Sequence, residues 1–174
     1  MFRNLLKNLD YPVAAPSANI SSRLSSVKPS DVKEEFGSKI KYILNGGKSK
    51  IGVESTILNL LEKPSLLRYG GLDTKKIENV LNKKLLINTN SKKKLSPGLF
   101  PLHYSPGIPL RTNIKKPKKD EAYLLIKKRK LNLKNYYYLS KVKNIEEAAM
   151  NLYSTLRKIK NDGFKKIAVE KIPN

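Results

Sequence analysis

Three short stretches hold side chains whose types and spacing suit chemistry on a charged ligand. The first, Ala14-Ala15-Pro16-Ser17-Ala18-Asn19, sets small residues around a proline, so its backbone can come close to a ligand. Ser17 then offers a hydroxyl and Asn19 an amide, both donors to anionic oxygens. The second is Gly46-Gly47 followed by Gly52-Val53-Glu54-Ser55-Thr56-Ile57. The glycines predict free backbone N–H groups of the kind a phosphate site uses. The Gly-Lys-Ser/Thr ending of a Walker A loop is absent. The third is Leu67-Arg68-Tyr69-Gly70-Gly71, an arginine at a strand end beside two glycines, which suits capture of phosphate or carboxylate. Each stretch alone has an ordinary alternative: a turn or helix cap for Ser17 and Asn19, a surface salt bridge for Arg68.

The composition narrows the chemistry. Cysteine is absent, which removes disulfides, thiolate metal sites and cysteine nucleophiles. A single histidine, His103, leaves no room for a His-rich metal site or for a Ser-His-Asp triad built elsewhere in the chain. The formal net charge of +22 attracts polyanions and makes nucleotide or nucleic acid a fitting partner class. The lysines are scattered, however, and enrichment in Lys, Asn and Ile together also accompanies AT-rich coding. No apolar run approaches the length of a membrane span, which takes about 20 residues. Residues 1–19 lack the features of a signal peptide, so a cytoplasmic protein is expected.

The elements that must position these residues read as α/β. Residues 1–9 carry Phe2, Leu5, Leu6 and Leu9 at helical spacing, and Pro12 ends that helix. Pro29, Ser30 and Asp31 start a second, with Val32 and Phe36 on one face. Strands are predicted at Tyr42–Leu44, Val53–Leu60 and Ser65–Arg68, and Asp73 caps a helix whose inner face is Ile77, Val80 and Leu81. Residues 88–106 turn polar, then lysine-rich, then dense in Pro and Gly, the composition of a linker. Beyond it the pattern restarts: strands at Ala122–Ile126 and Tyr136–Leu139, a capping box Asn144/Glu147 opening a long helix, Gly163 ending it, and a strand at Ile167–Val169. That order fits a small α/β unit whose far sheet face nothing in the sequence would cover.

The order of these motifs resembles the L-threonylcarbamoyladenylate synthases, the YrdC-like family. Pro16-Ser17-Ala18-Asn19, Gly46-Gly47, the Gly52–Thr56 run and Arg68-x-Gly70-Gly71 follow one another as in its catalytic domain. Ser96-Pro97-Gly98 with His103-Tyr104-Ser105-Pro106 resembles the connector of the longer members, which leads into a Rossmann-like C-terminal domain. The resemblance implies a twisted mixed-sheet catalytic part over residues 1–87, a connector over 88–108 and a Rossmann-like part over 109–174. It implies an enzyme that makes threonylcarbamoyl-AMP and pyrophosphate from ATP, L-threonine and bicarbonate for tRNA modification. Mg²⁺ would arrive on the nucleotide phosphates, and the product would pass to threonylcarbamoyl-transfer proteins. Ser17, Asn19, Ser25, Arg68 and Tyr104 fall on nucleotide-facing positions; Ala15 and Ser55 fall on threonine-holding ones.

Departures accompany the match. The family's catalytic domain begins well before Met1 and carries a Lys-x-Arg phosphate pair there, and the family continues past Asn174. An incomplete piece, with bare sheet edges and apolar surface, is therefore expected. Asn19-Ile20-Ser21-Ser22, Ser25-Ser26-Val27, Arg68-Tyr69-Gly70 and Leu102 each replace a different family pattern. Two other readings stay open: a double-stranded-RNA-binding module without catalysis, and a fragment with no function of its own.

Overall fold

The computed structural model describes residues 1–61, 63–87, 103–131 and 133–172; Ser96-Pro97-Gly98 and most of the expected connector lie outside these. Two sheets organise the chain. The first is mixed, in the order β1-β2-β3. Strand β1 (Ile57–Asn59) runs antiparallel to β2 (Ser65–Arg68), which runs parallel to β3 (Leu86–Ile87). Before it come α1 (Phe2–Leu6) and α2 (Pro29–Phe36), and between β2 and β3 lies α3 (Thr74–Leu81). Helix α2 starts where predicted. Proline suits its first turn, and the buried Asp31 carboxylate accepts from the Val27 and Lys28 amides at 3.0 and 3.2 Å. Asp73 caps α3 by accepting from the Lys75 amide at 2.9 Å.

The first sheet is less extensive than its sequence predicts. Tyr42–Leu44 forms no strand and Tyr42 is 90% exposed, because an apolar triplet needs a neighbouring strand edge and meets none among the described residues. The expected strand over Val53–Leu60 pairs only across Ile57–Asn59. Its front carbonyls are engaged elsewhere: the Glu54 carbonyl accepts from the Gly71 amide at 2.8 Å, and the Ser55 carbonyl from Arg68 Nε at 3.0 Å. Val80 does not face inward, since α3 turns it to solvent. Leu60, Leu72, Leu86 and Ile87 around this sheet stand more than half exposed.

The second sheet is parallel throughout, in the order β4-β7-β5-β6. It comprises β4 (Leu110–Arg111), β5 (Ala122–Lys127), β6 (Tyr136–Ser140) and β7 (Ile167–Val169), with α4 (Ile145–Asn161) crossing from β6 to β7. Strand β5 is buried on both sides, as expected of a central parallel strand. Ala122, Leu124 and Ile126 face α4, where they meet Leu139, Ala148, Leu156, Ile159, Ile167 and Val169. Tyr123 and Leu125 face the other way. That far face is not bare, contrary to the sequence expectation. The loop after β4 folds over it: the Ile114 amide donates to the Val169 carbonyl at 2.9 Å, and the Tyr123 hydroxyl donates to the Ile114 carbonyl at 2.7 Å. Arg129, paired with Glu170 at 2.9 Å, lies over the Tyr123 ring. The capping box of α4 is half formed. Asn144 accepts from the Glu147 amide at 2.7 Å, but the Glu147 carboxylate turns to Ser140 Oγ at 2.5 Å. Gly163, at φ +91°, follows the helix end.

Helix α4 also joins the two sheets. Its face away from β5 meets the first part of the chain at successive turns. Gly52 packs directly on the backbone of Met150, Lys48 Nζ donates to Asn151 Oδ1 at 2.8 Å, the Tyr104 ring stacks on Tyr153, and Arg157 reaches Glu35. Leu24 and Val27, from the first part, are buried in the same cluster as the α4 side of the second sheet. Gly52, at φ +77°, has no space for a side chain, as a Cβ there would lie 2.4 Å from the Met150 carbonyl oxygen. Gly46 has no heavy atom near its Cβ position. Gly52→Ala should therefore lower unfolding stability by about 1–3 kcal/mol and Gly46→Ala should not. Equal urea midpoints for the two variants would contradict the close contact.

Candidate active site

The site is built where β2 ends. Arg68, its last residue, points a guanidinium at residues from two separate segments. Nε donates to the Ser55 carbonyl at 3.0 Å, Nη2 donates to Ser55 Oγ at 3.0 Å, and Nη1 donates to the Tyr104 hydroxyl at 2.6 Å. Glu54 Oε2 lies 4.0 Å from Nη2, and its Oε1 accepts from Ser25 Oγ. Ser25, Glu54, Ser55, Arg68 and Tyr104 thus form one connected network, drawn from segments far apart in sequence. Three donors of Arg68 are engaged, so two of the five N–H bonds of a guanidinium remain for a ligand.

Glycines make this closeness possible. A Cβ on Gly70 would fall 2.2 Å from the Ser55 carbonyl carbon and the Thr56 nitrogen, so only glycine lets the end of β2 lie against the backbone at 54–56. The glycine amides themselves are not left free for phosphate, contrary to the sequence expectation. Gly71 donates to the Glu54 carbonyl, Gly46 to the Leu44 carbonyl at 3.1 Å, Gly47 to Asn45 Oδ1 at 3.1 Å and Gly52 to Ser49 Oγ at 3.3 Å. These N–H groups close turns, so a ligand at this site would meet side chains rather than these amides.

Tyr104 sits in the left-handed region at φ +53°, with its ring edge-on to His103 at 4.0 Å and stacked on Tyr153 at 6.1 Å. Burial raises its phenol above the usual tyrosine range, against the opposing pull of Arg68. The hydroxyl therefore stays protonated near neutral pH. Its oxygen accepts from Arg68, and its own proton is available to an anionic oxygen. Next to it the Ser105 amide donates to the Ser22 carbonyl at 2.9 Å, and Arg23 and Ser105 form a parallel bridge, which fixes this end of the connector on the loop holding Ser25.

The remaining predicted residues stand apart from this network. Asn19 spends its side-chain amide locally, on the Ile20 carbonyl at 2.9 Å and the Arg23 carbonyl at 3.3 Å. Ser17 and Ala15 are exposed on the stretch leading to that turn. Ser26 Oγ, donating to the Ala18 carbonyl at 2.7 Å, ties the two stretches together. Sequence reasoning missed Glu54, although it lies inside a motif already singled out. A carboxylate between a serine and an arginine was the available signal. A cleft of about 590 Å³ opens beside Glu54 and Ser55, lined by Ile51, Val53, Leu58 and Leu72, within the range of small-molecule sites. Among the described residues no group of three or more His, Cys, Asp or Glu could hold a metal ion, and no helix is long and apolar enough to cross a membrane.

Comparison with known proteins matches the chain to two family models, which meet just after β2 rather than in the expected connector. Residues 1–70 match the Sua5/YciO/YrdC family model described as telomere recombination, and residues 72–174 match the model of the threonylcarbamoyl-AMP synthase C-terminal domain. The threonylcarbamoyl-AMP synthase of Pyrococcus abyssi is 40% identical over 107 residues, covering 59% of this chain and 32% of the relative. That of Bacillus subtilis is 37% identical over 110 residues, covering 61% and 32%. The crystal structure of P. abyssi Sua5 complexed with L-threonine superimposes with a TM-score of 0.80 at 30% identity, covering 94% of this chain and 54% of that one. The chain thus spans about half the length of that solved relative. With the C-terminal-domain model matching more than half of this chain, on a fold that carries the Arg68 network, the chain belongs to the threonylcarbamoyl-AMP synthase family.

Proposed function

We propose that this chain supplies the Arg68 side of an active site that makes threonylcarbamoyl-AMP and pyrophosphate from ATP, L-threonine and bicarbonate, for threonylcarbamoyladenosine modification of tRNA. The observation that carries this reading is the network of Ser25, Glu54, Ser55, Arg68 and Tyr104 in a chain of this family. The superimposed P. abyssi structure holds L-threonine, which supports threonine as a ligand here. The division into a catalytic part over 1–87, a connector over 88–108 and a Rossmann-like part over 109–174 belongs to the same proposal. So do a cytoplasmic location and delivery of the product to threonylcarbamoyl-transfer proteins.

The network suits nucleotidyl transfer onto threonine carbamate. No side chain in it is placed as a strong general base, and the reaction needs none, since it proceeds by aligning reactants and neutralising phosphate charge. The two unused N–H bonds of Arg68 and the phenol proton of Tyr104 suit phosphate oxygens as ligands, joined by Ser17 on the neighbouring loop; Asn19 and Ser25 would join them by releasing the Ile20 and Arg23 carbonyls and Glu54. Ser55 and the Ala15 backbone hold the amino acid. Glu54 offsets the charge of Arg68 and orients Ser25. Mg²⁺, when bound, would supply further neutralisation at the nucleotide phosphates; Glu54, the carboxylate of the network, is already engaged by Ser25 and lies 4.0 Å from Arg68.

A second reading, RNA binding, draws on the +22 charge and on a depression lined by Lys127, Lys128, Arg129, Lys143 and Lys171 at the ends of β5 and β7. It expects affinity for double-stranded RNA that needs no ATP and falls steeply with salt. Absence of binding at low salt removes it.

For the enzyme, Arg68→Ala should cut the yield of threonylcarbamoyl-AMP, read by mass spectrometry, by roughly tenfold or more. Tyr104→Phe keeps the ring stack and loses the hydroxyl, so it should lower turnover less than Arg68→Ala does. Ser55→Ala should raise the KM for L-threonine with little change in kcat. Full activity in Arg68→Ala would refute the site.

A further inference from the structure

Arg157 lies on α4, in the second sheet's half of the chain, and is mostly covered, with a side chain 12% exposed. Its Nη2 donates to the Leu24 carbonyl at 2.5 Å and its Nη1 to Glu35 Oε2 at 3.2 Å. Glu35, 4% exposed at its side chain, uses its other oxygen to accept from the Ile20 amide at 3.2 Å. Its further cationic neighbour is Arg23 at 3.5 Å, whose side chain is 54% exposed. These contacts bracket the nucleotide-facing loop. Ile20 follows Asn19 directly, and Leu24 precedes Ser25.

The two ends of the turn from Asn19 to Ser25 are therefore fixed to one guanidinium, one directly through a carbonyl and one through the Glu35 carboxylate. A covered carboxylate that loses its partner is left with an uncompensated charge, and it re-solvates by moving the segment that holds it. Exposed Arg23 cannot replace Arg157, since a solvated pair contributes little. Among the described residues, the hydrogen bonds of Arg157 go to Leu24 and Glu35 and not to the Arg68 network, so its influence on the chemistry runs through the loop.

We propose that Arg157 is a positioning residue for the nucleotide site. It sets the spacing of Asn19 and Ser25 from the far side of the domain joint, and so makes the second part of the chain a working component of the first. The proposal rests on the reading above for what this loop faces.

The test uses the whole chain with Arg157→Ala, Arg157→Lys and Glu35→Gln, amide hydrogen exchange read over residues 17–24 and 122–127, and affinity for ATP with Mg²⁺ read by calorimetry. In Arg157→Ala, residues 17–24 should exchange roughly tenfold faster while 122–127 stay protected, and ATP affinity should fall by roughly tenfold, as for loss of a charged hydrogen bond. Arg157→Lys and Glu35→Gln each keep part of the bridge and should recover part of both signals. Unchanged exchange at 17–24 overturns the proposal. So does acceleration spread equally to 122–127, which marks general destabilisation, and so does local acceleration with unaltered ATP affinity, which marks a staple only. If the unaltered chain binds no ATP, this chain alone does not form the nucleotide site, while exchange at 17–24 still decides whether Arg157 holds the loop.

Discussion

A helix in a parallel α/β unit ordinarily buries one stripe and leaves the other to water. Helix α4 is held on two sides, and the site depends on that. Ala148, Leu156 and Ile159 seat it on the second sheet. Met150, Asn151, Tyr153 and Arg157, recurring at helical spacing, receive the loops of the first part of the chain. Because the sheet face is close-packed, α4 has little freedom to move, and any loop docked on its outer face inherits that rigidity. The backbone at Gly52, the Tyr104 ring and the Ser25 loop are each one contact from this helix. They are also the segments that bring the Arg68 network together.

The network itself is a polar cluster at the edge of burial. Arg68, 12% exposed at its side chain, and Glu54, 21% exposed, sit 4.0 Å apart. At such distances partial desolvation strengthens attraction, and it also makes an unsatisfied group costly. Each guanidinium donor in use meets an oxygen, and Ser25 satisfies the carboxylate on its other side. The arrangement is preorganised: Ser55 and Tyr104 already orient the arginine, so on the proposed reading a phosphate oxygen would bind there at lower entropic cost.

Legibility in the sequence followed the range of the interaction. Strand β5 declared itself as a continuous apolar run, β2 as a short apolar stretch after Pro64, and α4 through Asn144 and a helical repeat. These are local patterns. Strands β3 and β4, two residues each, carry too little pattern to see. Tyr42–Leu44 has the composition of a strand and lacks a partner edge, which no local pattern can report. The cover over Tyr123 comes from a loop whose fold is set by its landing place on β7. Arg68, Ser55, Ser25 and Tyr104 were singled out through the family resemblance of ordered motifs, and the structure places them together. Glu54 was hidden beside them because a single acidic residue in a motif has many ordinary roles. The bridge from Glu35 to Arg157 was hidden altogether, since an ion pair across 122 positions leaves no trace in spacing.

The contact between Gly52 and α4 also bears on how such chains diverge. On the glycine side the constraint is absolute, because any Cβ strikes main chain. On the helix side the atoms approached are the Met150 carbonyl group and Cα, which every amino acid possesses. Selection can therefore act strongly at one position while its partner drifts without penalty. Two residues in direct contact would then share no covariation, and a contact map inferred from correlated substitutions would leave this one contact blank.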